Sequence, residues 1–211
     1  TSSASRRTWP TRSSPMEYQE PDLLLDAIEA WQSSGGEIRE VLRAILFSEE
    51  FLSLKFYRAK IKDPFENVVS TVRALGAELN TQNLLGMVSN IESAGMEQFQ
   101  FSDPTGESEM GFDWLHTVGL LERLKFANLA ANPPGRWEAR GDWDPGDFMN
   151  RWSLTSSDSV VDYFSLLLFG GDVLEAQKVL AGSTYSAGNN PENRMRYAVS
   201  CLLSLPAYQK Q

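Results

Sequence analysis

The chain has very little of the two side chains that most often bind transition metals or carry redox chemistry. Among its 211 residues there are one cysteine, Cys201, and one histidine, His116. A single thiol excludes an internal disulfide, a dithiol redox pair and a Cys-x-x-Cys-His haem site. One thiol and one imidazole also cannot supply the nitrogen and sulfur ligands of a zinc site. Cys201 lies in the apolar run from Val199 to Leu205, where we interpret it as a small core residue.

Long apolar runs and an excess of positive charge are lacking as well. The apolar runs, such as Leu166 to Phe169, are far shorter than the roughly 20 residues that cross a bilayer as a helix. With 28 acidic and 19 basic residues the formal net charge is −9, and an acidic surface repels phosphates. We therefore expect no membrane span and no nucleic acid partner. Hydrophobic residues make up 42% of the chain, which is enough for a packed core.

Helix start and stop signals are frequent along the chain. The pairs Asp63-Pro64, Asp144-Pro145 and Asn190-Pro191 are typical of a capping residue followed by proline at the first helical position. Apolar residues between such starts recur with helical spacing, as they do over residues 38–46. Glycines that favour helix ends stand at positions 35, 76, 95, 170 and 182.

These signals predict an all-α fold: an irregular multi-helix bundle of about nine or ten helices with two long loops. The predicted helices lie near residues 21–33, 36–47, 49–58, 64–76, 80–94, 112–131, 145–152, 157–169, 172–181 and 190–205. The long loops fall near 96–111 and 132–144, and loops of this length commonly carry function. Residues 1–15 are rich in Ser, Thr and Arg and are expected to form a disordered tail or linker. Residues 16–211 would then form a single helical domain.

The candidate catalytic groups are few. His116 has the chemistry of a general base, but no orienting carboxylate or nucleophile lies near it in sequence, which favours a polar residue at a helix start. Asp142, Asp144 and Asp147 form the densest carboxylate cluster, and calcium prefers such oxygen ligands. A helix cap at Asp144, with Asp147 in the first turn, explains two of the three acids without a metal. We predict no metal and no cofactor, and a metal-dependent hydrolase fragment remains as an alternative.

Two tryptophans, Trp137 and Trp143, lie in the predicted loop 132–144. Indole rings beside polar groups can stack on sugars, so a carbohydrate- or polymer-binding surface is a further alternative, although such residues also pin loops to a core. One basic run precedes the helix predicted at residue 64 and comprises Lys55, Arg58, Lys60 and Lys62. This run either holds an anion or is a solvated connector.

Four collinear blocks lie at residues 33–51, at 60–69 with 73–77, at 114–127 and at 202–209. Together they resemble the bacterial "domain of unknown function 1800" family. Lys62, Arg73 and Arg123 fall on the family pattern, which makes them candidate binding residues alongside the two tryptophans. His116 stands where the family usually has Asn. The loop 102–110 lacks the family's usual Trp and Gly-rich run.

The resemblance implies that the chain is the C-terminal part of a larger exported bacterial protein, because family members carry His-rich segments upstream. It suggests a periplasmic or extracellular location. The expected partners are the N-terminal part of the same protein or another envelope protein. The leading hypothesis is a non-catalytic helical scaffold or interaction region, and we do not expect an enzyme.

Overall fold

The computed structural model describes residues 22–100, 106–108, 111–132 and 143–211, and the regular secondary structure in these ranges is helical. The α-helices, in chain order, are α1 (Asp22–Ser33), α2 (Ile38–Leu46), α3 (Pro64–Leu75), α4 (Thr81–Ser93), α5 (Thr117–Ala131), α6 (Pro145–Trp152), α7 (Ser157–Phe169), α8 (Glu175–Ser186) and α9 (Pro191–Leu203). Two short 3-10 helices cover Gly111–Leu115 and Pro206–Gln209. The predicted all-α fold is thereby confirmed.

The described residues form two compact units, which divide between residues 57 and 58. The single domain predicted for residues 16–211 stays a prediction, because compactness within each unit does not decide whether the two fold together. The predicted tail and much of the two predicted long loops lie outside the described residues. Within the described ranges, none of the helices combines the length and apolar character that a membrane crossing requires.

One predicted helix, residues 49–58, is wrong, because this stretch forms successive turns. Ser48 Oγ accepts a hydrogen bond from the Phe51 amide at 3.0 Å and donates to the Ile45 carbonyl at 2.9 Å. Such side-chain bonds compete with a continuing helix. At the other end of the stretch, Arg58 adopts a φ of 50°, in the left-handed region where a right-handed helix cannot continue. The apolar spacing of these residues therefore gave a misleading helical signal.

The predicted helix starts are confirmed by their caps. Asp63 and Glu66 form a complete capping box, in which each side chain accepts from the backbone N–H of the other. Asp144 Oδ1 accepts from the Gly146 amide at 2.7 Å, and Asn190 Oδ1 accepts from the Asn193 amide at 2.8 Å. These local bonds fix where α3, α6 and α9 begin.

Helix α9 lies at the centre of the larger unit and packs against α5, α6, α7 and α8. Its inward face has helical spacing and is fully buried, and it comprises Met195, Ala198, Val199 and Leu202. Phe126 of α5 and Phe164 of α7 belong to the same core. Burial of this face contributes to the hydrophobic stabilisation of the unit.

The chain end pairs with the segment that precedes α3. The Lys62 amide donates to the Gln209 carbonyl at 2.8 Å, and the Gln211 amide donates to the Lys60 carbonyl at 2.8 Å. Ile61 and Lys210 form the antiparallel bridge between these two bonds. Residues 206–211, which we call the C-terminal segment, are thus held beside α3 by backbone hydrogen bonds.

Candidate functional site

Three cations surround the C-terminal segment, and we call Arg58, Lys62 and Arg123 the cationic clamp. Arg123 projects from α5 and is only 3% exposed. Its Nη1 donates to Gln209 Oε1 at 3.2 Å, and its Nη2 donates to the Lys62 carbonyl at 2.7 Å. Its buried Nε has no hydrogen-bond acceptor among the described residues. Arg123 therefore joins α5 to both paired segments.

Lys62 is 5% exposed, and its ammonium group lies 3.6 Å from the centroid of the Tyr208 ring. This position over the ring face is that of a cation–π contact. Within the described residues, no carboxylate forms an ion pair with Lys62. Burial, reinforced by the neighbouring charges of Arg58 and Arg123, lowers the pKa of Lys62 to about 8. Burial thus destabilises the protonated form of Lys62 in the folded protein.

Arg58 completes the clamp through bonds to α7 and to the C-terminal segment. Its Nη1 donates to the carbonyl of Phe169, the last residue of α7, at 2.6 Å. Its Nη2 donates to the Ala207 carbonyl at 2.9 Å. Carbonyl groups at a helix end carry partial negative charge, which suits a guanidinium. Arg58 therefore links α7 to the C-terminal segment.

A layer of neutral polar groups lies next to the clamp. The Tyr208 hydroxyl is 2.9 Å from Thr71 Oγ1 and 3.3 Å from Ser70 Oγ, both on α3. Burial raises the pKa of Tyr208, so its hydroxyl stays protonated in the neutral range. Gln209 Oε1 also accepts a weak bond from Asn67 Nδ2 at 3.4 Å. These bonds satisfy the buried polar atoms that the C-terminal segment brings into the core.

The structure brings together two of the residues that the family resemblance singled out, Lys62 and Arg123, and leaves Arg73 apart from them. Arg73 is exposed on α3 and lines a surface cavity of about 370 Å³ with Phe65, Glu66, Val69, Ser70 and Gln211. The contributions of Arg58, Tyr208 and Gln209 were missed. Arg58 lies in a basic run, and Tyr208 and Gln209 lie about 150 residues later in the sequence. No local pattern in the sequence indicates that these residues come together in the fold.

Trp143 is 2% exposed and belongs to the core. Its ring makes edge-to-face contacts with Phe148 and Phe164, at centroid distances of 5.6 and 6.2 Å. The guanidinium of Arg196 lies 5.3 Å from the same ring. Trp143 thus packs like a core residue and offers no open ring face for stacking on a sugar. Trp137 lies outside the described residues.

The acidic residues around α6 have structural partners. Asp144 caps the helix, and Asp147 accepts from Arg151 Nη2 at 2.6 Å one turn further on. Asp142 lies outside the described residues, so its relation to them is not shown. In the described part of the chain, no group of three His, Cys, Asp or Glu side chains is arranged to hold a metal ion.

His116 caps α5. Its Nδ1 accepts a hydrogen bond from the Gly119 amide at 3.1 Å, and the residue is exposed. This bond requires an unprotonated Nδ1 and satisfies one of the free amides of the first turn. An Asn side chain, which the family resemblance leads us to expect here, accepts the same kind of bond through its Oδ1. The departure at this position therefore preserves the capping function.

The smaller unit has a large exposed apolar surface. Neither α1 nor α2 contains a buried residue. Half-buried positions form the seam between the two helices: Leu23, Ala27, Ala30, Val41, Ala44 and Ile45. Beside the seam lie six residues that are 42–65% exposed, which we call the hairpin apolar face: Leu24, Ile28, Trp31, Ile38, Leu42 and Leu46. An apolar surface of this kind typically marks an interaction site.

The helix geometry places all six residues on one side of the hairpin. A loop of four residues, 34–37, joins α1 to α2, so the two helices run antiparallel. Successive residues of an α-helix are rotated by about 100° around its axis. In both helices, the exposed apolar residues are offset from the seam residues by about one such step, in the direction in which the chain advances. In an antiparallel pair these two rotations turn toward the same side. The two stripes therefore join into one continuous surface.

Comparison with known protein families gives a match over nearly the whole chain. Residues 14–210 match the model of the family described as "Protein of unknown function (DUF1800)". This match covers nearly the whole chain and confirms the resemblance read from the four sequence blocks. No curated protein and no solved structure matches the chain.

Replacing Arg123 tests the clamp. Arg123→Met removes the donor to the Lys62 carbonyl and leaves Gln209 Oε1 with only the weak bond from Asn67. We therefore expect a loss of about 1–3 kcal/mol in the free energy of unfolding, measured by urea denaturation. Lys125→Met is the matched control, because Lys125 is half exposed and pairs with Glu122 one turn away on the same helix. We expect a change within about 0.5 kcal/mol there. Equal losses in the two variants would contradict the clamp.

The pKa of Lys62 predicts a pH dependence of stability. Its folded value of about 8 lies below the ordinary 10.5, so between these values the unfolded chain binds the proton more tightly. The cost of the buried charge is present in full below about pH 8 and is relieved as the pH rises toward 10. Wild type should therefore gain stability relative to Lys62→Met over that window in urea denaturation. A difference that stays constant with pH would contradict the buried ammonium.

The capping function of His116 predicts opposite outcomes for two variants. His116→Ala removes the acceptor for the Gly119 amide and should lower the thermal stability by the equivalent of about 1 kcal/mol. His116→Asn restores an acceptor and should stay within about 0.5 kcal/mol of wild type. If both variants lost the same stability, the imidazole would be acting through something other than its cap.

Proposed function

The chain belongs to the DUF1800 family, and we propose that it is a non-catalytic helical interaction domain that binds another polypeptide through the hairpin apolar face. The observation that carries this proposal is the exposure of six large apolar side chains on one side of α1 and α2. Leaving such groups in water forfeits the hydrophobic free energy of their burial. A protein surface that covers them recovers it.

The size of the face supports a polypeptide partner. Half-exposed residues of this size contribute on the order of 100 Å² each, which gives roughly 600 Å² for the six. A stable protein interface buries about 800 Å² on each side, including a polar rim. The face is therefore large enough to form the apolar centre of an interface, and its polar border supplies the rest.

The shape of the face supports a helical partner. Its residues follow one another in steps of three and four positions along each helix, which is the spacing of knobs in helix-to-helix packing. A partner helix can place its own side chains between these residues. In the exported setting that the family resemblance implies, another envelope protein or another part of the same protein would offer such a surface.

The larger unit supports the scaffold half of the proposal. Its polar side chains at the expected site serve the fold: Arg123 binds carbonyl and amide oxygens, His116 caps α5, and Asp144 caps α6. These assignments give each group a structural task that needs no bound substrate. The carbohydrate alternative has less support, since Trp143 is packed within the core.

Site-specific photo-crosslinking in the producing cells tests this proposal. A photoreactive phenylalanine analogue at Leu42, on the hairpin apolar face, should form adducts with a polypeptide. The same analogue at Asp26, on the polar side of α1, is the matched control and should form few. Equal adducts at the two positions, or none at Leu42, would contradict an interaction domain that uses this face.

A further inference from the structure

The buried amine of Lys62 lies among the cations of the clamp, and we propose that it is a reversible modification site for carbon dioxide. The amine nitrogen attacks the carbon of CO2, one C=O electron pair moves onto oxygen, and the nitrogen releases a proton to water. The product is a carbamate, a planar anion attached to Lys62 Nζ. This inference concerns the larger unit and is independent of what binds the hairpin apolar face.

The surroundings of Lys62 activate its amine as a nucleophile. A lysine reacts with CO2 only in its unprotonated form, and removal from water beside other cations favours that form. Lys62 is 5% exposed, and the charges of Arg58 and Arg123 act on it. With a pKa of about 8, roughly half of Lys62 is unprotonated at pH 8, whereas an exposed lysine is almost fully protonated. Lys62 should therefore react ahead of the surface lysines.

The clamp also suits the product. Conversion of the ammonium into a carbamate replaces one of the three positive charges by a negative one, so repulsion within the cluster becomes attraction. Guanidinium groups donate in a planar fork that matches a carboxylate, and a carbamate has the same shape. Arg123 Nε is buried and has no hydrogen-bond acceptor among the described residues. A carbamate oxygen is an acceptor of the kind that this donor requires.

The carboxylates that act on the clamp have partners of their own. The charge of Glu66 acts on Lys62, and the charges of Asp63 and Glu66 act on Arg123. Asp63 and Glu66 form the capping box of α3, and Glu66 also pairs with Lys60. Because these bonds hold both carboxylates at the start of the helix, the three cations of the clamp outweigh them at the amine.

Burial favours CO2 over larger or charged reagents. CO2 is small and uncharged, so it enters a buried site without the desolvation penalty of an ion. Once formed, the carbamate would bind the guanidinium groups that already hold the C-terminal segment. The modification should therefore strengthen the attachment of this segment and make the stability of the larger unit depend on CO2.

Carbon-13 NMR of the purified chain in 13C-labelled bicarbonate at pH 8 tests this inference. Wild type should show a carbamate signal that is lost in Lys62→Met. Lys125→Met is the matched control and should keep the full signal, because Lys125 is half exposed on α5 and pairs with Glu122. The α-amine of the chain also reacts with CO2, and its signal should be the same in all three proteins. Circular dichroism checks that each variant keeps its helix content.

Two further measurements do not depend on the folding of Lys62→Met. Unfolding of wild type in guanidinium chloride should abolish the Lys62 signal, because the amine then regains its ordinary pKa. Bicarbonate should also raise the wild-type melting temperature above that in chloride of equal ionic strength and pH. The rise should be roughly 3–6 °C when CO2 exceeds its dissociation constant tenfold.

Three results would overturn the inference. The first is a wild-type spectrum without a carbamate signal that depends on Lys62. The second is a Lys62 signal that persists in the unfolded chain, since it would not need the clamp. The third is a bicarbonate-induced rise in melting temperature that is equal in wild type and Lys62→Met.

Discussion

The larger unit depends on one constraint, the attachment of the C-terminal segment to residues 58–62. These two stretches are separated by nearly the whole unit in sequence, yet they share two backbone hydrogen bonds of 2.8 Å. Closing so long a loop costs conformational entropy, which the pairing and its surroundings must offset. Arg58 and Arg123 contribute to that offset through hydrogen bonds to oxygens of the segment and of the stretch beside it, and Lys62 packs over the Tyr208 ring. The clamp therefore ties α3, α5 and α7 to one another.

Cations in such a position are costly unless their hydrogen bonds are made. Here the two arginines donate to carbonyl and amide oxygens, and Lys62 lies over an aromatic ring. The lowered pKa of Lys62 shows that its buried charge is destabilised. A carboxylate partner would bind a cation more strongly, but it would join the cation to a single side chain. The guanidinium of Arg58 instead donates to the carbonyl oxygens of Phe169 and Ala207, and so it connects the backbones of α7 and the C-terminal segment. This arrangement favours a rigid chain end over an exchangeable binding site.

The sequence was informative wherever the determinants were local. Caps such as Asp63 and Asn190 lie next to the helices they start, so their spacing predicted α3 and α9 nearly to the residue. The clamp could be anticipated only through the family pattern, since the partners of Arg123 lie 61 and 86 residues away. The turns over residues 49–58 were mistaken for a helix because apolar spacing does not register side-chain competition at Ser48. The exposure of the hairpin apolar face was not foreseen, because amphipathic spacing shows which residues are apolar and not whether they are covered.

The two units thus differ in character. In the larger unit the cationic clamp attaches the C-terminal segment to the core, and in the smaller unit apolar side chains are exposed on the hairpin apolar face. If the C-terminal segment is an integral part of the larger unit, its amides open only when the unit unfolds, and amide hydrogen exchange measures this directly. We expect the amides of Lys62 and Gln211 to exchange as slowly as that of Val199 in α9, through global unfolding of the unit. Fast exchange at Lys62 and Gln211 with Val199 still protected would show a chain end that opens by itself, and would contradict it.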